Sequence, residues 1–246
     1  MNRDIMRIRL LLAIACSVAA LAAFMVFALY QGVIRFNYPS REEFPIQGID
    51  ISHHQKEIDW DRLNTAEIQF IFIKATEGGN FKDKRFHLNW KDARQRGFVV
   101  GAYHFFTFCS SGDEQADNFI SSVPVEKGTL PPVIDLEYGG NCQLTSGRLE
   151  VLKEVEVLSD RLEKAYGQRP ILYVTREFYD DFLIDKMPKS AIWLRDVYRK
   201  PGLQPDNRDW LFWQYANRGK LEGIETFVDF NVFNGKKDKF ETLIND

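Results

Sequence analysis

Pro131-Pro132-Val133-Ile134-Asp135-Leu136-Glu137-Tyr138 is the stretch on which the fold turns. Branched apolar residues surround two carboxylates at alternate positions, and a short apolar run of this kind reads as a strand covered on both faces, as in a parallel sheet. On a strand, residues two apart point to the same face, about 6.6–6.8 Å apart along the chain. Asp135 and Glu137 therefore project together from an apolar strand into one space. Desolvation and mutual repulsion there raise at least one pKa, giving a neutral acid beside an ionised base. A solvated strand edge is the plainer reading of Asp-x-Glu, and the apolar flanks oppose it.

Working outward, seven further apolar or alternating runs accompany this one: Gly48–Ser52, Phe70–Thr76, Val99–Phe106, Pro170–Val174, Ala191–Val197, Leu211–Tyr215 and Val228–Phe233. Helical patterns lie between the early runs. Phe86, Trp90 and Ala93 precede a helix stop at Gly97; Leu149, Leu152, Val155, Leu158, Leu162 and Ala165 form a stripe ending at Gly167 and Pro170. The last three runs are separated by turn-rich linkers with little room for helices. Alternating strands and helices predict an α/β fold, a closed (β/α) barrel whose last helices are lost.

In such barrels the reacting groups sit at the carboxyl ends of the strands. Asp50, in Gly48-Ile49-Asp50-Ile51-Ser52, and Asp229, in Val228-Asp229-Phe230-Asn231, are further acids at predicted strand ends. Singly, each reads equally well as a turn or capping residue; four acids aimed at one barrel mouth do not. Paired carboxyls are what glycoside hydrolysis needs, one to protonate the leaving oxygen and one to stabilise or attack the developing cation. Tyr103, His104, Phe106, Tyr173 and Trp213, with Gln214, gather at the same ends, and aromatic walls with hydrogen-bonding rims suit sugar rings. Core packing is the commoner fate of strand aromatics, and about half of them are expected there.

Six segments in order across residues 47–240 resemble glycoside hydrolase family 25, the Chalaropsis-type lysozymes or muramidases. They are Gly48-Ile49-Asp50-Ile51-Ser52, Lys74-Ala75-Thr76-Glu77-Gly78, Gly101-Ala102-Tyr103-His104-Phe105, Asp135-Leu136-Glu137, Trp213-Gln214-Tyr215 and Val228-Asp229-Phe230-Asn231. The resemblance implies a modified (β/α)5β3 barrel and a retaining cleavage of the β-1,4 bond between N-acetylmuramic acid and N-acetylglucosamine in peptidoglycan. It implies that Glu137 is the general acid/base, that Asp135 is nucleophile or stabiliser of the intermediate, and that Asp50 and Asp229 support the pair. Lys74, Glu77, Tyr103, His104, Phe106, Tyr173, Tyr198, Trp213 and Gln214 match positions lining the substrate groove. No metal or cofactor is implied, and adjacent His53 and His54 cannot both face one site on an extended strand.

One segment departs from the family pattern of Trp-x-Ala-x-Tyr on the sixth strand. Counting back from Tyr198 places Leu194 where the tryptophan belongs and Asp196 where the small residue belongs. Trp193 is then one position off, on the opposite face, unless the strand carries a bulge. On this count one sugar subsite has gained a carboxylate, and a non-catalytic glycan-binding protein on the same fold is the alternative function.

The amino terminus is of another kind. From Leu10 to Ile34 there are 25 residues without a charge, flanked by Arg3, Arg7 and Arg9 on one side and Arg35 on the other. A hydrocarbon core of about 30 Å needs roughly 20 apolar residues, so residues 10–34 are expected to anchor the chain in the cytoplasmic membrane. Basic flanks stay cytoplasmic, which puts everything from about residue 36 outside the cytoplasm, on the periplasmic or wall side. Ala20-Leu21-Ala22 imitates a signal-peptide cleavage site, although the apolar run is longer than such peptides carry. The expected divisions are a basic segment and anchor (1–35), a Pro-containing linker (36–47) and the barrel (48–246).

The chain has 246 residues and a net charge of −3 at pH 7; without residues 1–35 it keeps 28 basic and 34 acidic side chains. That balance argues against a nucleic-acid partner, which requires a basic face. Three cysteines are too few for a disulfide-built scaffold and none forms a C-x-x-C pair. Cys16 lies in the apolar run. Cys109 and Cys142 follow predicted strands, so both sit in loops at one end of the barrel in an oxidising compartment, and a disulfide between them is expected. Two free thiols are the alternative, because spacing alone does not fix pairing.

Overall fold

Alternation within each strand decides the architecture: even and odd residues of the same run enter two different cores. The computed structural model describes residues 3–34, 37–145 and 147–245; Arg35, expected to close the apolar run, and Phe36, at the start of the expected linker, lie outside them. The chain divides into two units, residues 1–36 and 37–246.

The first unit is one helix, α1 (Arg3–Tyr30), 28 residues long. At 1.5 Å per residue it reaches about 42 Å, long and apolar enough to cross a membrane. It has no polar stripe beyond its first turns, so it is not built to lie on a protein core. A signal sequence meets the same description.

The second unit is a closed barrel. Its strands are β1 (Gln47–Ile51), β2 (Phe70–Glu77), β4 (Val99–Phe105), β5 (Val133–Leu136), β6 (Ile171–Thr175), β7 (Ile192–Arg195), β8 (Phe212–Leu221) and β9 (Ile224–Phe233), with β3 (Phe81–Lys82) folded back on the end of β2. The first seven barrel strands pair in parallel in chain order, and β9 closes the ring antiparallel to both β8 and β1. All eight predicted strands exist in the expected order. Helices α2 (Phe86–Gln95), α3 (Gly112–Ile120) and α4 (Arg148–Tyr166) cover the outside, and a short α5 (Arg176–Phe178) continues into a wider turn over Tyr179–Leu183.

The expected linker between the seventh and eighth strands is instead the upper half of a hairpin in which β8 and β9 each run ten residues. Its tip packs on residues 58–63, where the Gly223 carbonyl accepts from the Asp59 N–H at 2.9 Å and buried Ile224 bridges to Ile58, and it carries the charged side chains Arg218, Lys220, Glu222 and Glu225. Charged residues and glycines interrupt, in sequence, the apolar alternation that marks the lower half.

The inner core is aromatic. Phe70, Phe72, Trp193, Phe212 and Phe233 fill the lower barrel, with Phe72 and Trp193 stacked at 4.5 Å between ring centroids. Gly48 and Gly101 make room for these rings: a Cβ at Gly48 would lie 2.3 Å from the Phe70 ring, and one at Gly101 2.6 Å from Phe72. Helix α6 (Lys237–Asn245) closes the bottom through Phe240, which meets Phe70 and Phe233. The outer core lies between strands and helices and takes the alternate residues, among them Ile49, Ile51, Ile71, Ile73, Ile134 and Leu136.

The segment read as a tether lies on the barrel rather than apart from it. Asn37 donates to the carbonyls of Asp196 and Tyr215, the Tyr38 ring meets Tyr215 edge-on at 5.1 Å, and Phe44 is buried against Trp210 and Trp213. A disulfide joins Cys109 to Cys142, tying the loop after β4 to the loop after β5.

Candidate active site

The aromatic core stops short of the upper end, and acids take over. Ile49, Ile51, Ile134 and Leu136 face outward, which forces Asp50 and Asp135 inward. Glu137, one residue past β5, keeps the inward phase. Asp229 is not at a carboxyl end, as the sequence was read; it sits mid-strand in β9. Because β9 runs antiparallel, its middle reaches the mouth, where Asp229 is the register partner of Asp50.

These four acids, with Tyr103, Tyr173, Trp193, Arg195, Gln214 and Asn217, line a cavity of about 260 Å³. Asp50 is held firmly: its Oδ2 accepts from Gln214 Nε2 at 2.9 Å and Asn231 Nδ2 at 2.7 Å. Tyr173 donates to Gln214 Oε1 at 3.0 Å, and the Trp193 indole donates to Asn231 Oδ1 at 2.9 Å, so both amides have fixed orientations. Asp135 is nearly buried, and its Oδ1 has no hydrogen-bond partner.

Burial sets the charge state. Desolvation pushes the carboxyl of Asp50 up, opposed by its amide donors. Asp229 is driven well above the ordinary carboxylate range by burial and then by the charge of Asp50, to which it also hydrogen-bonds. The two share that bond, and the two amides that donate to Asp50 favour the proton on Asp229. Asp135 is likewise raised well above its usual range by burial and by Glu137, and Glu137 is raised by burial. The pair titrates as a unit, and its surroundings favour the state with one proton. Burial among these carboxylates raises the phenols of Tyr103 and Tyr173 well above their normal range, keeping both as donors.

Two recesses continue the cavity into a groove. One of about 430 Å³ is lined by Lys74, Glu77, His54 and Phe105 as well as the acids. A bulge in β2 between Lys74 and Thr76 puts Lys74 and Glu77 on the same side, where they pair at 2.7 Å. The other, of about 530 Å³, is lined by Arg176, Arg195, Asp196 and Tyr198. Tyr198 is thus a highly exposed rim residue outside the acid cavity. Glu137 belongs to the cavity and to both recesses.

Three residues expected in the groove are elsewhere. His104, Phe106 and Trp213 lie on the outward face of their strands, because Tyr103, Phe105 and Gln214 hold the inward positions. His104 is fully buried, its Nδ1 accepting from Thr76 Oγ1 at 2.7 Å and its Nε2 donating to Gln115 Oε1 at 3.0 Å. Gln115 fixes this tautomer, since its own amide donates to the carbonyls of Thr107 and Ser110. Burial holds the imidazole pKa down at about 4, so it is neutral. Trp213 packs with Phe44 and Trp210 and donates to the Asp196 carbonyl at 2.8 Å.

The sixth strand corrects a second expectation. Trp193 and Arg195 face the cavity, Leu194 the outer core, and β7 runs in unbroken register with β6. Counting back from Tyr198 fails because the strand ends at Arg195 and the chain bends over residues 197–199, where a period of two no longer applies. The subsite has gained a guanidinium, Arg195, rather than a carboxylate. Asp196 turns aside to Arg176, at 3.0 Å. His53 and His54 lie on a 3-10 turn, not an extended strand; their ring centroids lie 4.1 Å apart with the planes tilted by 34°, and His53 Nδ1 is 2.8 Å from Asp83.

A barrel mouth with paired, proton-sharing carboxyls under an open groove holds the groups that acid–base glycoside hydrolysis uses. The chain belongs to glycosyl hydrolases family 25, whose model matches residues 49–224. It is 35% identical over 223 residues to YegX of Escherichia coli K12, a protein without an assigned activity, covering 88% of this chain and 79% of that one. Lysozyme M1 of Streptomyces globisporus is 32% identical over 210 residues, covering 81% and 71%. A solved family 25 glycosyl hydrolase from Bacillus anthracis superposes with a TM-score of 0.79 at 43% identity, covering 86% of this chain and 99% of that one.

Proposed function

We propose that the protein is a muramidase, hydrolysing the β-1,4 bond between N-acetylmuramic acid and N-acetylglucosamine in peptidoglycan with retention of configuration. The observation that carries this reading is the position of Glu137, half-buried where the cavity and both recesses meet. A glycan strand lying along the groove passes its glycosidic oxygen over this carboxyl. Glu137 protonates that oxygen as the bond breaks and later takes a proton from the incoming water. Asp135, deeper on the same strand, faces the positive charge that develops on the sugar. The Asp50–Asp229 pair, with Gln214 and Asn231 around it, holds the negative potential of the cavity floor in place.

Helix α1 tethers the enzyme in the cytoplasmic membrane, with residues 1–9 inside and the barrel facing the wall. The three arginines before the span support that orientation, and the Cys109–Cys142 bond suits an oxidising compartment. Trp193 facing the cavity favours the catalytic reading over the alternative, a non-catalytic glycan-binding protein on the same fold.

Full-length protein in detergent, incubated with purified peptidoglycan, is expected to release fragments with new reducing muramic ends, and Glu137→Gln to release none while still binding the wall. Wild-type protein that leaves the wall intact from pH 4 to 8 would end this reading. Trapping with a slow fluorinated glycoside decides whether Asp135 bonds to the sugar or acts through its charge.

A further inference from the structure

The recess on the β6–β7 side has a character unlike the rest of the groove. Three guanidinium-bearing residues line it, Arg176, Arg195 and Arg199, on a barrel whose acids outnumber its bases. Asp196 organises them. Its Oδ2 takes Arg176 at 3.0 and 3.2 Å, and its Oδ1 accepts the backbone N–H groups of Tyr198 and Arg199 at 3.1 and 2.9 Å. That carboxylate is buried and fully engaged, and it neutralises Arg176.

Arg195 is the informative one. It is half-buried at the end of β7, between Thr175 of β6 and Gln214 of β8. It belongs to the acid cavity and to this recess, yet among the described residues no carboxylate lies within ion-pair distance of it. Its charge reaches the cavity acids Asp50, Asp135, Glu137 and Asp229, but with no carboxylate paired to it the guanidinium offers a rigid fork of donors matched to a planar, bidentate anion. In peptidoglycan the two alternating sugars differ in one group: the muramyl residue carries a lactyl ether ending in a carboxyl, free or continued as an acidic peptide.

We propose that Arg195, supported by Arg176 and Arg199, is a carboxylate-binding subsite that recognises the anionic substituent of the muramyl residue beside the scissile bond. This deepens the muramidase reading and rests on it. The subsite gives the enzyme its register on an alternating polymer and turns it away from neutral aminosugar chains such as chitin.

The test uses full-length protein carrying Glu137→Gln, so that ligands survive, and calorimetry with muramyl oligosaccharides in three forms: free lactyl acid, lactyl methyl ester, and acidic stem peptide attached. Charge-assisted hydrogen bonds of this kind correspond to about a 10–100-fold preference for the free acid over the ester. Adding Arg195→Gln is expected to reduce that preference below about threefold, and Arg195→Lys, which keeps the charge without the fork, to leave an intermediate value. Tighter binding of the free acid than of the peptide form assigns the lactyl carboxylate as the ligand; the reverse order assigns the peptide's own carboxylates. Equal binding of all three forms, or a preference that survives Arg195→Gln, overturns the subsite. Absence of wall cleavage by wild-type protein alongside an intact acid preference would instead remove the muramidase reading and leave the subsite standing.

Discussion

Asp50 and Asp229 are direct partners across the β1–β9 ladder, joined by a hydrogen bond in which Asp229 keeps the proton. Two carboxyls this close under burial cannot both ionise, so the closing strand of the barrel carries a titration with it. A carboxyl raised on folding contributes stability that is complete below its unfolded value, here 3.8, and is lost as pH rises through the folded value. Stability of the barrel is therefore expected to decline as pH rises from the ordinary carboxylate range upward. Asp229→Asn, which keeps a donor toward Asp50, is expected to flatten that decline. Urea unfolding at a series of pH values measures both slopes, and equal slopes would contradict the shared proton.

Lys74, together with Arg195, acts on the other pair. Its charge lowers the pKa of both Asp135 and Glu137 against the larger effect of burial. Lys74→Met is expected to move the alkaline limb of the pH–rate profile to higher pH, because the proton on the pair is then lost later. An unmoved limb, read from kcat/KM across pH, would show that this cation does not act on the pair.

His104 is a structural pin. Its substitution by Ala leaves Thr76 and Gln115 without their partner in a dry layer, at a cost of about 2–4 kcal/mol of unfolding free energy. Since the ring does not reach the groove, kcat/KM of the folded fraction is expected to stay within about threefold. A selective rise in KM with unchanged stability would return His104 to the groove.

The Cys109–Cys142 bond closes a loop of 33 residues' separation. Chain-entropy considerations give about 3–4 kcal/mol for its contribution, so the double Ser variant is expected to unfold at lower urea. Little change in midpoint would mean that the loops after β4 and β5 hold each other without it.

How far the sequence discloses this molecule depends on where period and register hold. Asp50, Asp135 and Glu137 lie on or beside strands whose apolar neighbours are fully buried, so alternation alone assigns their direction. It does the same against expectation for His104, Phe106 and Trp213: each is one residue from an inward-facing neighbour, and a motif does not say which of two adjacent residues points in. Arg195 escaped notice and Trp193 was assigned to the opposite face because the count was anchored on Tyr198, beyond the strand end. Asn217 sits on the solvated part of the hairpin, where no apolar alternation marks a strand. Asp229 was legible as an acid, but its partnership with Asp50 depends on the antiparallel register of β9, which is a tertiary fact. The Lys74–Glu77 pair needed a bulge that composition does not announce.

The most direct measurement is mass spectrometry of the soluble products from purified peptidoglycan treated with wild-type and Glu137→Gln protein. Wild-type protein should yield fragments ending in reducible N-acetylmuramic acid, and the variant none above background, a loss of at least about 10²–10⁴-fold for a missing general acid. Fragments ending in reducible N-acetylglucosamine, or equal release by the variant, would contradict a reaction in which Glu137 delivers the proton to the muramyl glycosidic oxygen.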